Sequence, residues 1–151
     1  MRFDQTREVL HFVERFHEDI AHAYAKLGEE VAQRRSRLLL DYMAGREIRL
    51  AEAVRSFAHD SDDPSLKEWD PFTIDDSKMR ARLKNGLDAA APPDDLLELG
   101  LEIAEWFEEL YARLAAKSGT PEQKTLFESL RERTENEKQK LARNGNMLMD
   151  F

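Results

Sequence analysis

The chain has 151 residues, a net charge of −8, no cysteine, and 36% charged against 41% hydrophobic residues. That length suits one domain with a single sizeable core, and the balance is that of a helical protein with strongly charged outer faces. Missing thiols exclude a disulfide framework and a thiolate metal site, and the acidic surface repels phosphate backbones, so no nucleic-acid partner is expected.

No apolar run approaches the roughly 20 residues that a membrane helix needs. Residues 1–7 lack the apolar stretch of a signal peptide, so a cytoplasmic protein without a membrane partner is expected.

In chain order, the first predicted helix covers about 5–30. Leu10, Val13, Phe16, Ile20, Ala23 and Leu27 recur at spacings of three and four, which makes one buried stripe. Asp4 or Thr6 is placed to cap it. After a break near 31–36, a second stripe of Leu39, Met43, Leu50, Val54 and Phe57 predicts the second helix. Gly45 inside it costs about 1 kcal/mol relative to Ala and suggests close packing.

From about 59 to 93 Asp, Ser and Pro accumulate, with a short helix expected at about 77–87. A structureless link of that length would be unusual, so the segment reads as a crossover held to the surface by Trp69 and Phe72. The third long helix opens at Asp94 and Asp95, buries Leu96, Leu99, Ile103, Phe107, Leu110 and Leu114, and ends at Ser118 and Gly119. Thr120, Pro121 and Gln123 then form a capping-box start for the fourth. Gly145 is its expected stop, leaving an apolar tail at 147–151 that docks on its own helices.

The two halves correspond at an offset of 87 residues. Glu18, Tyr24 and Leu27 align with Glu105, Tyr111 and Leu114; Met43, Arg46 and Val54 align with Leu130, Arg133 and Leu141. Each half is a helical hairpin, at about 5–58 and 94–146. The fold expected is all-α, a single four-helix-bundle domain over 1–151 with one long crossover, no sheet, and the second long helix parallel to the third.

This spacing and apolar pattern resemble the ferritin-like superfamily, and rubrerythrin-type proteins most. The resemblance implies six metal ligands: in each hairpin a Glu seven residues before the Tyr, and a Glu-x-x-His motif on the second helix. Here those positions hold His17 and Ala104, then Glu47 with Leu50, then Thr134 with Glu137. A normal dinuclear site is therefore not expected. Glu18 and Glu105 lie roughly opposite the buried stripes and read as solvated. His22, four residues after Glu18, reads as part of a surface ion pair.

Glu47 and Glu137 do fall on the inward lines, Glu47 within about 40° of Met43, Leu50 and Val54, and Glu137 in line with Leu130 and Leu141. A carboxylate there must be paired, protonated, hydrated or metal-bound. One reading is a leftover polar core layer satisfied by Tyr24, Tyr111, Thr134, His17 or water. The other is a reduced site in which His17, Glu47 and Glu137 hold one Fe, Mn or Zn ion. The leading functional expectation is a non-enzymatic bundle that needs no cofactor and acts through assembly or partner binding. Apolar surface at Leu101 and Trp106 suggests a homodimer. The alternative is a rubrerythrin-like oxidoreductase or an iron- or manganese-handling protein.

Overall fold

The structure, a computed structural model, describes residues 1–58 and 69–149. Among them the element order is β1 (Arg2–Gln5), α1 (Thr6–Glu30), α2 (Arg34–Ala58), β2 (Trp69–Thr73), α3 (Ser77–Gly86), α4 (Pro93–Ala116) and α5 (Pro121–Met149). The chain is thus mostly helical. No described helix is long and apolar enough to cross a membrane.

The four long helices bury their predicted stripes in one core that includes Leu10, Phe16, Tyr24, Leu40, Met43, Leu99, Phe107, Tyr111, Phe127 and Leu141. Contacts along it fall in levels. At one end the Gln123 side-chain amide donates to Thr6 Oγ1 at 2.9 Å, joining the starts of α5 and α1. Further along, His17 of α1 meets Glu47 of α2 and stacks on Phe107 of α4. Beyond that, Gly100 of α4 lies against Met43, Leu141 and Tyr24. Residue numbers rise from the first level to the last in α1 and α5 and fall in α2 and α4. The two pairs therefore run in opposite directions.

The expectation of no sheet is overturned. β1 and β2 pair antiparallel, with Arg2 opposite Thr73, Phe3 opposite Phe72 and Gln5 opposite Trp69. Alternation drives the pairing: Phe3 and Phe72 point inward while Arg2 and Thr73 stay exposed. Phe72 packs edge-on against Phe127 of α5 at 5.8 Å, and Phe3 packs on Phe12 of α1 at 5.1 Å. Phe72 thus anchors the crossover as expected. Trp69 contributes backbone pairing, its side chain lying outside the described residues, as does 59–68 of the crossover.

Helix ends depart from expectation in three places. Neither Asp4 nor Thr6 caps α1; the N-cap is Gln5 without a side-chain bond, and Glu8 reaches back to accept the Asp4 N–H at 3.0 Å. Thr6 is buried and committed to Gln123 instead. The Thr120 cap of α5 is present, its Oγ1 accepting the Gln123 N–H at 3.2 Å.

Gly145 does not stop α5, which continues to Met149. A Cβ built at Gly145 would lie 2.6 Å from Leu97 Cδ1, so this glycine serves close helix packing. Gly45 has no such neighbour, its nearest atom being Arg49 Nη1 at 3.6 Å. Of the apolar tail, Met147 to Met149 belong to α5, with Met147 exposed and Leu148 half-buried against the core. Residues 150–151 lie outside the described residues.

Candidate functional site, a buried charged layer

Seven polar side chains from the four long helices meet at mid-core: His17 and Tyr24 from α1, Arg46 and Glu47 from α2, Tyr111 from α4, and Thr134 and Glu137 from α5. All are buried. Six were expected from the sequence. Arg46 was not, and it organises the layer.

The Arg46 guanidinium is 1% exposed, among the largest fully buried side chains in the protein. Its Nη1 lies 3.5 Å from Glu47 Oε1 and its Nε lies 3.9 Å from Glu137 Oε2. The same Nε donates to the Glu137 backbone carbonyl at 3.2 Å. The two carboxylates are therefore joined by a fixed positive charge. An uncompensated buried carboxylate costs several kcal/mol, so the arginine stabilises what neither glutamate could sustain alone. Glu137 also reaches outward, with Oε1 3.8 Å from the exposed Lys140.

His17 supplies the second contact to Glu47. Its Nδ1 is 2.5 Å from Glu47 Oε2, and an ionised carboxylate can accept but not donate, so with Glu47 ionised the proton sits on Nδ1. The imidazole is held flat against the Phe107 ring, centroids 4.0 Å apart at 18°. Its Nε2 has no hydrogen-bond partner among the described residues, nor do Tyr24 Oη, Arg46 Nη2 and Glu137 Oε2.

Burial raises the phenol pKa of Tyr24 above its ordinary value, and the nearby Glu47 charge raises it further while Arg46 opposes. Tyr111 is raised by burial and then by Glu47. Thr134 is satisfied within its own helix, donating to the Leu130 carbonyl at 2.8 Å.

Among the described residues no three His, Asp or Glu side chains come together in a group that could hold a metal ion. His17 and Glu47 touch, but Glu137 joins them through Arg46. A divalent ion in this layer would face that guanidinium across the same carboxylates, so the donor set as arranged does not fit one. The other positions weighed from the sequence lie apart from the layer. Ala104 is inward and apolar, while Glu18 and Glu105 are exposed. Glu18 pairs with Arg55 at 2.8 Å, where His22 had been the expected partner. Trp106 packs edge-on against Phe16 and Phe107 at 5.3 and 5.0 Å and is half-buried.

The signal for Arg46 was available in principle. Two inward carboxylates demand a cation, and Arg46 flanks one of them. No family model, curated protein or solved structure matches this chain.

Proposed function

We propose that this chain is a non-enzymatic, cytoplasmic helical protein of ferritin-like architecture, acting through assembly or partner binding, in which Arg46 takes the electrostatic part that a metal ion would otherwise play. The carrying observation is the Arg46 guanidinium between Glu47 and Glu137. A permanent internal cation neutralises the layer without a cofactor, and arginine cannot release its proton to do acid–base work. The opposed directions of the α1/α5 and α2/α4 pairs, with a crossover between the hairpins, support the ferritin-like reading. So does the match in burial between positions 87 residues apart.

The test is a set of thermal melts, with and without Fe(II), Mn(II) and Zn(II), alongside the metal content of protein purified from supplemented cells. Wild type is expected to carry no stoichiometric metal and to melt alike in all conditions. A metal-dependent rise of several degrees in wild type, lost in Glu47→Leu/Glu137→Leu, would assign His17, Glu47 and Glu137 to a one-metal site and the protein to the oxidoreductase or metal-handling alternative.

The assembly we propose is a homodimer. Exposed Ile48 and Met147, with half-buried Leu101 and Leu148 beside them in chemistry, supply apolar surface for it. Sedimentation at micromolar concentration should give a dimer; a monomer would remove this part of the reading and leave the charged layer as it is.

A further inference from the structure

A cleft of about 630 Å³ lies between α1, α3 and β1, away from the charged layer. Its floor is apolar: Phe3 is buried, Phe12 is half-buried, and the two rings lie 5.1 Å apart. Its α1 wall is the row Glu8, His11, Phe12, Arg15 and Asp19, residues three and four apart that share one face of the helix. Asp76 and Arg80, at the start of α3, close the far side.

The charges in this cleft are unequally committed. Glu8 accepts the Asp4 N–H at 3.0 Å. Asp76 pairs with Arg80 at 2.5 Å, and Asp19 approaches the same guanidinium at 3.5 Å. Arg80 is thus engaged by two carboxylates, and it also lies over the Phe16 ring at 4.4 Å. His11 leans on Glu14 at 3.8 Å. Arg15 is exposed and makes no ion pair or hydrogen bond among the described residues. The unmatched charge beside the apolar floor is therefore positive, in a chain whose net charge is −8.

We propose that this cleft binds a small carboxylic acid with an apolar body, its carboxylate on Arg15 and its body on Phe3 and Phe12. The guanidinium fork suits a carboxylate bidentately. An exposed ion pair alone contributes little, so affinity needs the apolar body as well. The volume falls within the range of about 300–1,000 Å³ usual for small-molecule sites. Nothing in this inference depends on Arg46, so it stands or falls separately from the function proposed above.

The test is an amide-shift titration of the full chain with 4-phenylbutanoate, repeated with the neutral 4-phenylbutanol and with the variant Arg15→Gln. Arg15 is exposed, so its replacement should leave the fold intact, which the unperturbed remainder of the spectrum checks. Saturable shifts are expected in residues 8–19 and 76–80, about tenfold weaker binding for the alcohol, and a similar tenfold loss in Arg15→Gln. The inference is overturned by equal affinity for acid and alcohol, by unchanged affinity in Arg15→Gln, by shifts centred elsewhere, or by no saturation up to about 10 mM.

Discussion

The two hairpins, α1–α2 and α4–α5, bury the same positions and fill them with different chemistry. Tyr24 and Tyr111, Met43 and Leu130, Val54 and Leu141 are buried pair by pair. Glu47 corresponds to Thr134 and Leu50 to Glu137, and those four are buried too. The first hairpin carries the ionisable load: His17, Arg46 and Glu47. The second answers with Ala104, a self-satisfied Thr134 and Glu137. Arg46 and Arg133 separate the halves most sharply. They stand at equivalent places beside their helices' inward faces, yet Arg46 is buried and Arg133 is exposed. Helix geometry offers both arginines the same choice. What differs is the presence of buried acceptors, the Glu47 carboxylate and the Glu137 carbonyl, within reach of one and not the other.

The largest break in this comparison should come from Arg46→Met beside Arg133→Met. The first strands two carboxylates in the core and should cost about 3–5 kcal/mol, lowering Tm by on the order of 10 °C. The second should change stability by no more than about 0.5 kcal/mol. Equal melts for the two variants would deny that Arg46 holds the layer. Glu47→Leu/Glu137→Leu strands Arg46 in turn and should also destabilise. Adding Arg46→Met to that pair removes every charge between the two helices and should recover stability, to neutral or better. Chemical denaturation of all four proteins reads these differences.

A smaller contrast concerns the glycines. Ala at Gly100 would place a methyl 2.6 Å from Met43 Sδ and 3.2 Å from Leu141 Cδ2, and overpacking of that kind costs about 1–3 kcal/mol. Gly45→Ala meets open space and should gain up to about 1 kcal/mol from helix propensity. Opposite signs in the two melts are expected; the same sign would show that the helices shift to relieve the contact.

The tyrosines sharpen the comparison at high pH. Both phenols have folded pKa values raised above the ordinary 10.0. The folded state therefore holds those protons more tightly than the unfolded state. Their contribution is fully present below pH 10 and is lost as pH rises from there toward the folded values. Each should account for about 1.4 kcal/mol of lost stability by pH 11. Tyr24→Phe and Tyr111→Phe should each flatten the stability curve between pH 9.5 and 11.5 by about one proton. Tyr24→Phe should cost little at neutral pH, because its hydroxyl has no partner among the described residues.

Much of the architecture was legible beforehand. The spans of the four long helices and of α3 follow from apolar spacing. The Thr120 cap follows from its local signature, and the inward placement of Glu47 and Glu137 follows from their angle to neighbouring apolar residues. Three features were not legible. Gly145 looked like a stop because glycine usually ends helices, but Leu97 from α4 needed the space. β1 pairs with β2 although 63 residues separate Gln5 from the start of β2 at Trp69, and no local pattern encodes a partner at that distance. The cleft at Arg15 depends on three elements meeting and on which carboxylates Arg80 takes.

The sequence by itself thus determined the elements and the faces they bury, because periodicity and capping act within one or two helical turns. Tertiary structure decided where the charge went. A guanidinium on the flank of a helix can snorkel to water or turn inward, and the difference rests on whether another helix brings acceptors to it. For Arg46 those acceptors include Glu137, 91 residues away. For Arg133 none of the contacts described draws it in, and it stays in solvent.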